Sequence, residues 1–144
     1  MKDTATSAAI DLDAFLPFQM AIVANRVFQR MVSDAGLQLP EWRIMMVLPR
    51  HQPCSSNDLS ILTSMDAARV SRAQRRLEAI GLIDVVQDQE DRRRLVVTLT
   101  ETGMDEAERL AMLARNAEET LMRDLGDEGE ACLRRCVSVL FGRI

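Results

Sequence analysis

Apolar residues recur along this chain at a helical spacing, switch briefly to strand-like runs, and then return to the helical spacing. Leu12, Leu16, Met20, Val23, Val27 and Met31 follow a rhythm of three to four residues. That rhythm predicts one long amphipathic helix over 11–36, ended near Gly36. A second helix is expected over Leu39–Leu48, with Pro40 tolerated in its first turn and Pro49 stopping it. Ser55–Thr63 reads as a short helix, with Ser55 and Asp58 as a capping-box-like start and Leu59 and Leu62 facing inward. After a break at Ser64–Met65, Val70, Ala73, Leu77 and Ile80 mark the buried stripe of another helix. Asp66 suits its N-cap, and Gly81 stands where a left-handed residue would end it. Leu82–Val86 and Leu95–Leu99, rich in Leu, Val and Ile, predict two strands around the wholly polar Gln87–Arg94. From Met104 to about Leu125 the helical rhythm returns in Ala107, Leu110, Ala114, Ala117 and Leu121. Gly126 breaks it, and Leu133, Val137, Leu140 and Ile144 mark a last helix.

The expected fold is therefore mainly α with a small two-stranded β-wing. Residues 1–10 form a loose tail, 11–36 an N-terminal helix, 37–100 a compact central lobe, and 101–144 C-terminal helices. The long helices at both ends carry apolar stripes that need partners to cover them. No internal repeat or low-complexity segment is visible.

The central lobe carries the chemistry. At about 100° per residue, Arg72 and Arg75 point away from the apolar stripe of their helix, with Ala68 between them. Ser71 borders this outer face on one side, and Arg69 and Arg76 border it on the other. No acid lies between Arg69 and Arg76, so the helix has no internal ion pairs within that span. A short helix precedes it at the distance of a helix-turn-helix, and a hairpin tipped by Arg92, Arg93 and Arg94 follows. That order suits a reader of duplex DNA. Long guanidinium arms pair bidentately with guanine in the major groove, and small residues allow close approach. A basic loop beside the helix reaches the backbone or the minor groove. On this reading Arg72 and Arg75 meet bases and Arg69 and Arg76 meet phosphates. Ser55, Ser56 and Asn57, at the start of the first helix of the pair, join the candidate DNA contacts. The competing reading is a winged-helix module whose arginine face docks an acidic protein partner.

Composition bears on this in two ways. The 144-residue chain has a formal net charge of -4, which speaks against a nucleic-acid partner until the distribution is considered. Most of the acidic excess lies in 101–130, whereas the arginine helix and the hairpin tip are locally basic, and the field at the contact surface decides. Lys2 is the sole lysine, so the basic side chains of the lobe are arginines, suited to bidentate contacts. His51 is the only histidine, which leaves no His-based triad or multi-histidine metal site in one chain. There is no Gly-rich phosphate loop. The reading is a non-enzyme with no cofactor. Cys54, Cys132 and Cys136 lack a disulfide-framework spacing, the opening residues lack an apolar signal region, and no run is long enough to span a membrane. These features point to the cytoplasm.

The run VSRAQRRLEAIGLI at Val70–Ile83, the DRR at Asp91–Arg93, the LTETG at Leu99–Gly103 and the upstream LPEWRIMMVL at Leu39–Leu48 resemble the MarR family of bacterial winged-helix regulators. The resemblance covers essentially the whole chain. It implies that Asp91 and Arg93 belong to an Asp-x-Arg signature shaping the wing. Arg92 or Arg93 would enter the minor groove, where narrow A·T tracts attract arginine. Successive side chains on an extended segment point to opposite sides. Arg92 is therefore expected in the groove, Arg93 folded toward Asp91 or the strand base, and Arg94 near the hairpin's own backbone. The resemblance also implies a homodimer with interlocked terminal helices, repression of transcription, and release by a small aromatic or phenolic effector. Phe15, Phe18, Trp42 and Met46 would line the effector cleft, with Arg26 or Arg43 offered to a carboxylate. Peroxide-sensing members carry an early reactive cysteine and tyrosines; this chain has Pro17 near that place and no tyrosine.

Overall fold

The computed structural model describes residues 10–142. The tail expected over 1–10 lies almost wholly outside these residues, as does Ile144. The elements run α1 (Leu16–Ala35), α2 (Leu39–His51), α3 (Ser56–Thr63), α4 (Ala67–Ala79), β1 (Ile83–Gln87), β2 (Leu95–Leu99) and α5 (Glu101–Phe141).

Proline sets two boundaries differently from the periodicity. Helix α1 begins at Leu16, not near Leu12, because Pro17 fits only the first turn, where its missing N–H has no helical partner anyway. Pro49 does not stop α2. It sits inside the last turn, and the helix runs on to His51, with the Gln52 amide donating to the Leu48 carbonyl at 2.9 Å. Gly36 closes α1 at φ 69°, a left-handed conformation that strains a side-chain-bearing residue. Gly126 (φ 68°, ψ 170°) puts a non-helical break inside α5, so its two segments are the two C-terminal helices expected.

The strands β1 and β2 pair antiparallel, with Ile83 opposite Leu99 and Gln87 opposite Leu95. Strand β1 is displaced by one residue from the expected Leu82–Val86, since Leu82 is spent on the turn. The amide of Leu82 donates to the Leu77 carbonyl at 3.0 Å, closing the C-terminus of α4 around Gly81, whose φ is 76°.

The hydrophobic core belongs to the central lobe. Ile44, Met45 and Leu48 of α2, Leu59 of α3, Val70, Ala73 and Leu77 of α4, and Ile83 and Val97 of the hairpin form one buried cluster. Ala107 and Leu110 of α5 complete it. The lobe thus draws on residues beyond position 100. Two expected core residues are outside it. Ile80 is 58% exposed because it is the C-cap of α4, with backbone angles that turn it off the stripe. Leu62 is also exposed, and Thr63 holds the inward position beside Leu59. Along α1 burial falls from Met31, which is buried, through Val27 to Val23, Met20 and Leu16, which are open. Leu133, Leu140 and Phe141 of α5 are open as well.

Candidate DNA interface

Helix α3 and helix α4 are each fixed at their N-termini by their own side chains. The Ser55 hydroxyl accepts from the Asp58 amide at 3.2 Å, and the Asp58 carboxylate accepts from the Ser55 amide at 2.8 Å. The Ser55 hydroxyl also donates to Asp58 at 2.7 Å. These Ser55 hydrogen bonds, and then the charge of Arg94, hold the Asp58 carboxyl below its ordinary range. Asp66 caps α4 by accepting from the Arg69 amide at 2.8 Å, and this bond and the neighbouring arginines lower its carboxyl likewise. Ser64 turns the chain between the helices at φ 53°. Ser56, beside the cap of α3, donates to the Gln74 side-chain carbonyl at 3.0 Å and ties α3 to α4. Ser56 and Asn57 are exposed, whereas Ser55 is half-buried in its capping role.

Arg69, Arg72, Arg75 and Arg76 are all exposed on α4, with Ala68 among them and Ser71 half-buried at the margin. Their freedom differs. Arg69 pairs with Asp66 at 3.4 Å. Arg75 lies along its own helix, donating to the Ser71 hydroxyl at 3.1 Å. Arg76 pairs at 3.1 Å with Glu41, a residue only 3% exposed. Among the described residues, the Arg72 guanidinium forms no ion pair. Arg69, Arg72 and Arg76 line one surface depression at the start of α2, together with Glu41 and Gln38.

Glu41 was not legible as part of this surface. Its second oxygen accepts from the Gln38 amide at 2.7 Å, the reciprocal half of a capping box at the start of α2. The spacing of Gln38 and Glu41 was the available signal, but glutamine is an uncommon N-cap, and nothing local ties position 41 to position 76.

The wing tip is built by two aspartates acting on backbone. Asp88 accepts from the Glu90 amide at 2.9 Å, and Asp91 accepts from the Arg93 amide at 3.0 Å. Asp91 and Arg93 are thus joined through the amide of Arg93. Its guanidinium, expected to fold toward Asp91, forms no ion pair among the described residues, nor does that of Arg92. The main chain of Arg94 closes the tip: its amide donates to the Asp91 carbonyl at 2.9 Å and its carbonyl accepts from Asp88 at 2.8 Å. Its side chain, expected near the hairpin's own backbone, instead leaves the hairpin and pairs with Asp58 of α3, 36 positions away in the sequence.

The residues expected around an effector divide into two groups. Trp42 and Met46 are half-buried against the core, and Trp42 meets Phe28 at a centroid distance of 5.3 Å. Arg43 sits 6.0 Å from the Phe28 ring and donates to the Thr63 carbonyl at 3.3 Å. Phe15, Phe18 and Arg26 are exposed on or beside α1. A cavity of about 410 Å³ lies between α1 and α5, lined by Val27, Arg30, Leu113 and Asp124 among others, and by none of the six. Cys54 is buried, and burial first and the charge of Asp58 second push its thiol up to about 11. That favours the unreactive thiol. Cys132 and Cys136 are exposed on α5, and His51 is exposed at the end of α2. Among the described residues no three His, Cys, Asp or Glu side chains are grouped to hold a metal. No helix among them is long and apolar enough to cross a membrane.

A helix-turn-helix with an arginine-bearing second helix and a basic two-stranded wing defines a winged-helix DNA-binding protein. Comparison with known proteins gives the family. The MarR family model matches residues 37–95. The HTH-type transcriptional repressor NicR of Pseudomonas putida is 30% identical over 69% of this chain and 63% of its own length. The transcriptional activatory protein BadR of Rhodopseudomonas palustris is 32% identical over 70% of this chain, spanning 61% of BadR. The crystal structure of a probable transcriptional regulator from Pseudomonas aeruginosa superposes with a TM-score of 0.79 at 30% identity, covering 90% of this chain and 98% of that one. The chain belongs to the MarR family and is a DNA-binding transcriptional regulator.

Proposed function

We propose that this protein is a homodimeric, cytoplasmic repressor that binds a two-fold-related operator and leaves it when a small aromatic or phenolic effector binds. The observation that carries the DNA-reading part is that, among the described residues, the exposed guanidinium groups of Arg72 on α4 and of Arg92 and Arg93 at the wing form no ion pair. Each stands on an element fixed by caps or turn bonds. Helix α4 enters the major groove, where Arg72 and, once released from Ser71, Arg75 meet base edges beside Ala68. Arg69 and Arg76 face phosphates, as do Ser56 and Asn57 at the N-terminus of α3. Arg92 enters the minor groove.

Dimerisation is carried by the terminal helices, whose open apolar positions along α1 and α5 need cover. The effector would bind where Trp42 and Arg43 meet Phe28 of α1, with Met46 beside them on α2, Phe15 and Phe18 at the start of α1 and Arg26 near its middle. The name of NicR supports repression as the direction of control. The protein acts through binding alone and catalyses no reaction.

Selection of duplexes from a random pool tests this reading. A two-fold-related consensus is expected, with fixed bases under α4 and an A·T preference at the wing positions. Recovery of duplexes without any shared sequence would leave the arginine face to an acidic protein partner instead.

A further inference from the structure

Strand β2 is stapled to the segment before and within α3 at successive levels. The Leu99 amide donates to the Gln52 side-chain carbonyl at 2.7 Å. Val97 and Cys54 exchange backbone hydrogen bonds of 2.8 and 3.2 Å. Beyond the last ladder pair, Gln87 with Leu95, the side chain of Arg94 makes the outermost staple, to Asp58. Arg94 also closes the tip through both of its own backbone groups, with Asp88 and Asp91. One residue therefore joins the tip that carries Arg92 and Arg93 to the capping box of α3. Its position also matters for charge. Asp58 lies at the same end of α3 as the exposed Ser56 and Asn57, and an uncompensated carboxylate there repels a phosphate backbone.

We infer that Arg94 is a positioning residue for DNA reading and not itself a DNA contact: through Asp58 it locks the wing to helix α3 and neutralises the acid at the α3 N-terminus. The inference rests on the DNA-binding reading for its consequence, and on the free protein alone for its geometry. With the clamp in place, the wing arginines and the helix-turn-helix meet DNA as one body, so the distance between major-groove and minor-groove contacts is fixed before binding. An arginine that bonded phosphate directly would release a counterion on binding, and one held by Asp58 does not.

The test uses the full-length chain with Arg94→Met, Asp58→Asn and both together. Asparagine keeps an oxygen for the Ser55 amide while losing the charge. In the free protein, hydrogen exchange of residues 88–96 should rise in each single variant and no further in the double. Against a selected duplex, Arg94→Met should weaken binding about two- to fivefold, the range of a partly exposed ion pair, with the salt slope unchanged. In the Asp58→Asn background the same replacement should cost less. A salt slope flattened by about one in Arg94→Met, with equal losses in both backgrounds, would assign Arg94 to a phosphate and overturn the inference. Unchanged exchange in the wing would overturn it independently of DNA. If Asp58→Asn does not fold, the exchange and salt slope of Arg94→Met decide alone. Changed exchange in a protein that reads no sequence would instead sink the DNA-binding reading.

Discussion

Arg72 and Arg76 lie one turn apart on α4 and both are exposed, yet they are held in opposite ways. Arg76 is the ion partner of a carboxylate removed from water, whereas Arg72 has no such partner among the described residues. Removing Arg76 leaves Glu41 buried with one oxygen unpaired, a cost of roughly 1–3 kcal/mol for an unsatisfied buried group. Arg76→Ala should therefore lower the denaturant midpoint clearly, whereas Arg72→Ala should change stability by less than about 0.5 kcal/mol. The order reverses on DNA. Loss of Arg72 should cost roughly 1–3 kcal/mol and relax base preference at one position. Equilibrium unfolding and binding to matched and mismatched duplexes, run on both variants, check the pair. Equal midpoints would mean that Glu41 is satisfied without Arg76.

At the scale of elements, the join between the hairpin and the last helix depends on Thr100 and Gly103. The Thr100 hydroxyl accepts from the Gly103 amide at 2.9 Å, and donates to the Gly81 carbonyl at 2.7 Å. The start of α5 is thus tied to the turn that ends α4. A Cβ built on Gly103 would stand 1.9 Å from the Leu82 carbonyl oxygen, so only glycine lets the helix approach that backbone. Gly103→Ala should destabilise the protein by about 1–3 kcal/mol, as overpacking does. In urea the midpoint should fall with an unchanged slope. A wild-type midpoint would show that α5 can move off the Leu82 backbone without cost. The LTETG run was legible as a motif, but the reason for its glycine was not. The atom it must avoid is in Leu82, on the far side of the hairpin.

For the whole molecule, the graded burial of α1 matters most. Its stripe is covered near Met31 by α5 and the lobe, and open at Val23, Met20 and Leu16. A second copy would cover the open end. Val23→Glu and Leu140→Glu alter positions exposed in the single chain, so the lobe core should be untouched. The unmodified chain should sediment as a dimer and the double variant as a monomer. With one half-site left per molecule, operator affinity should drop on the order of a hundredfold or more. A monomeric wild-type chain at micromolar concentration, still holding operator tightly, would remove the dimer from the mechanism.

Local sequence alone determined the element order, the caps at Ser55, Asp66 and Gly81, the break at Gly126 and the polar wing tip. Each depends on residues within a few positions, through hydrogen bonds and backbone angles that only certain side chains allow. Periodicity went wrong where one residue changed the local geometry, as Pro17 did to the start of α1 and the cap position did to Ile80. What only the tertiary structure decided was which of the exposed arginines is held in an ion pair. Arg72, Arg76 and Arg94 are chemically alike in the sequence. Their partners, where they have them, lie 35 and 36 positions away at Glu41 and Asp58. An ion pair is set by distance in space and by burial, and a one-dimensional pattern carries neither.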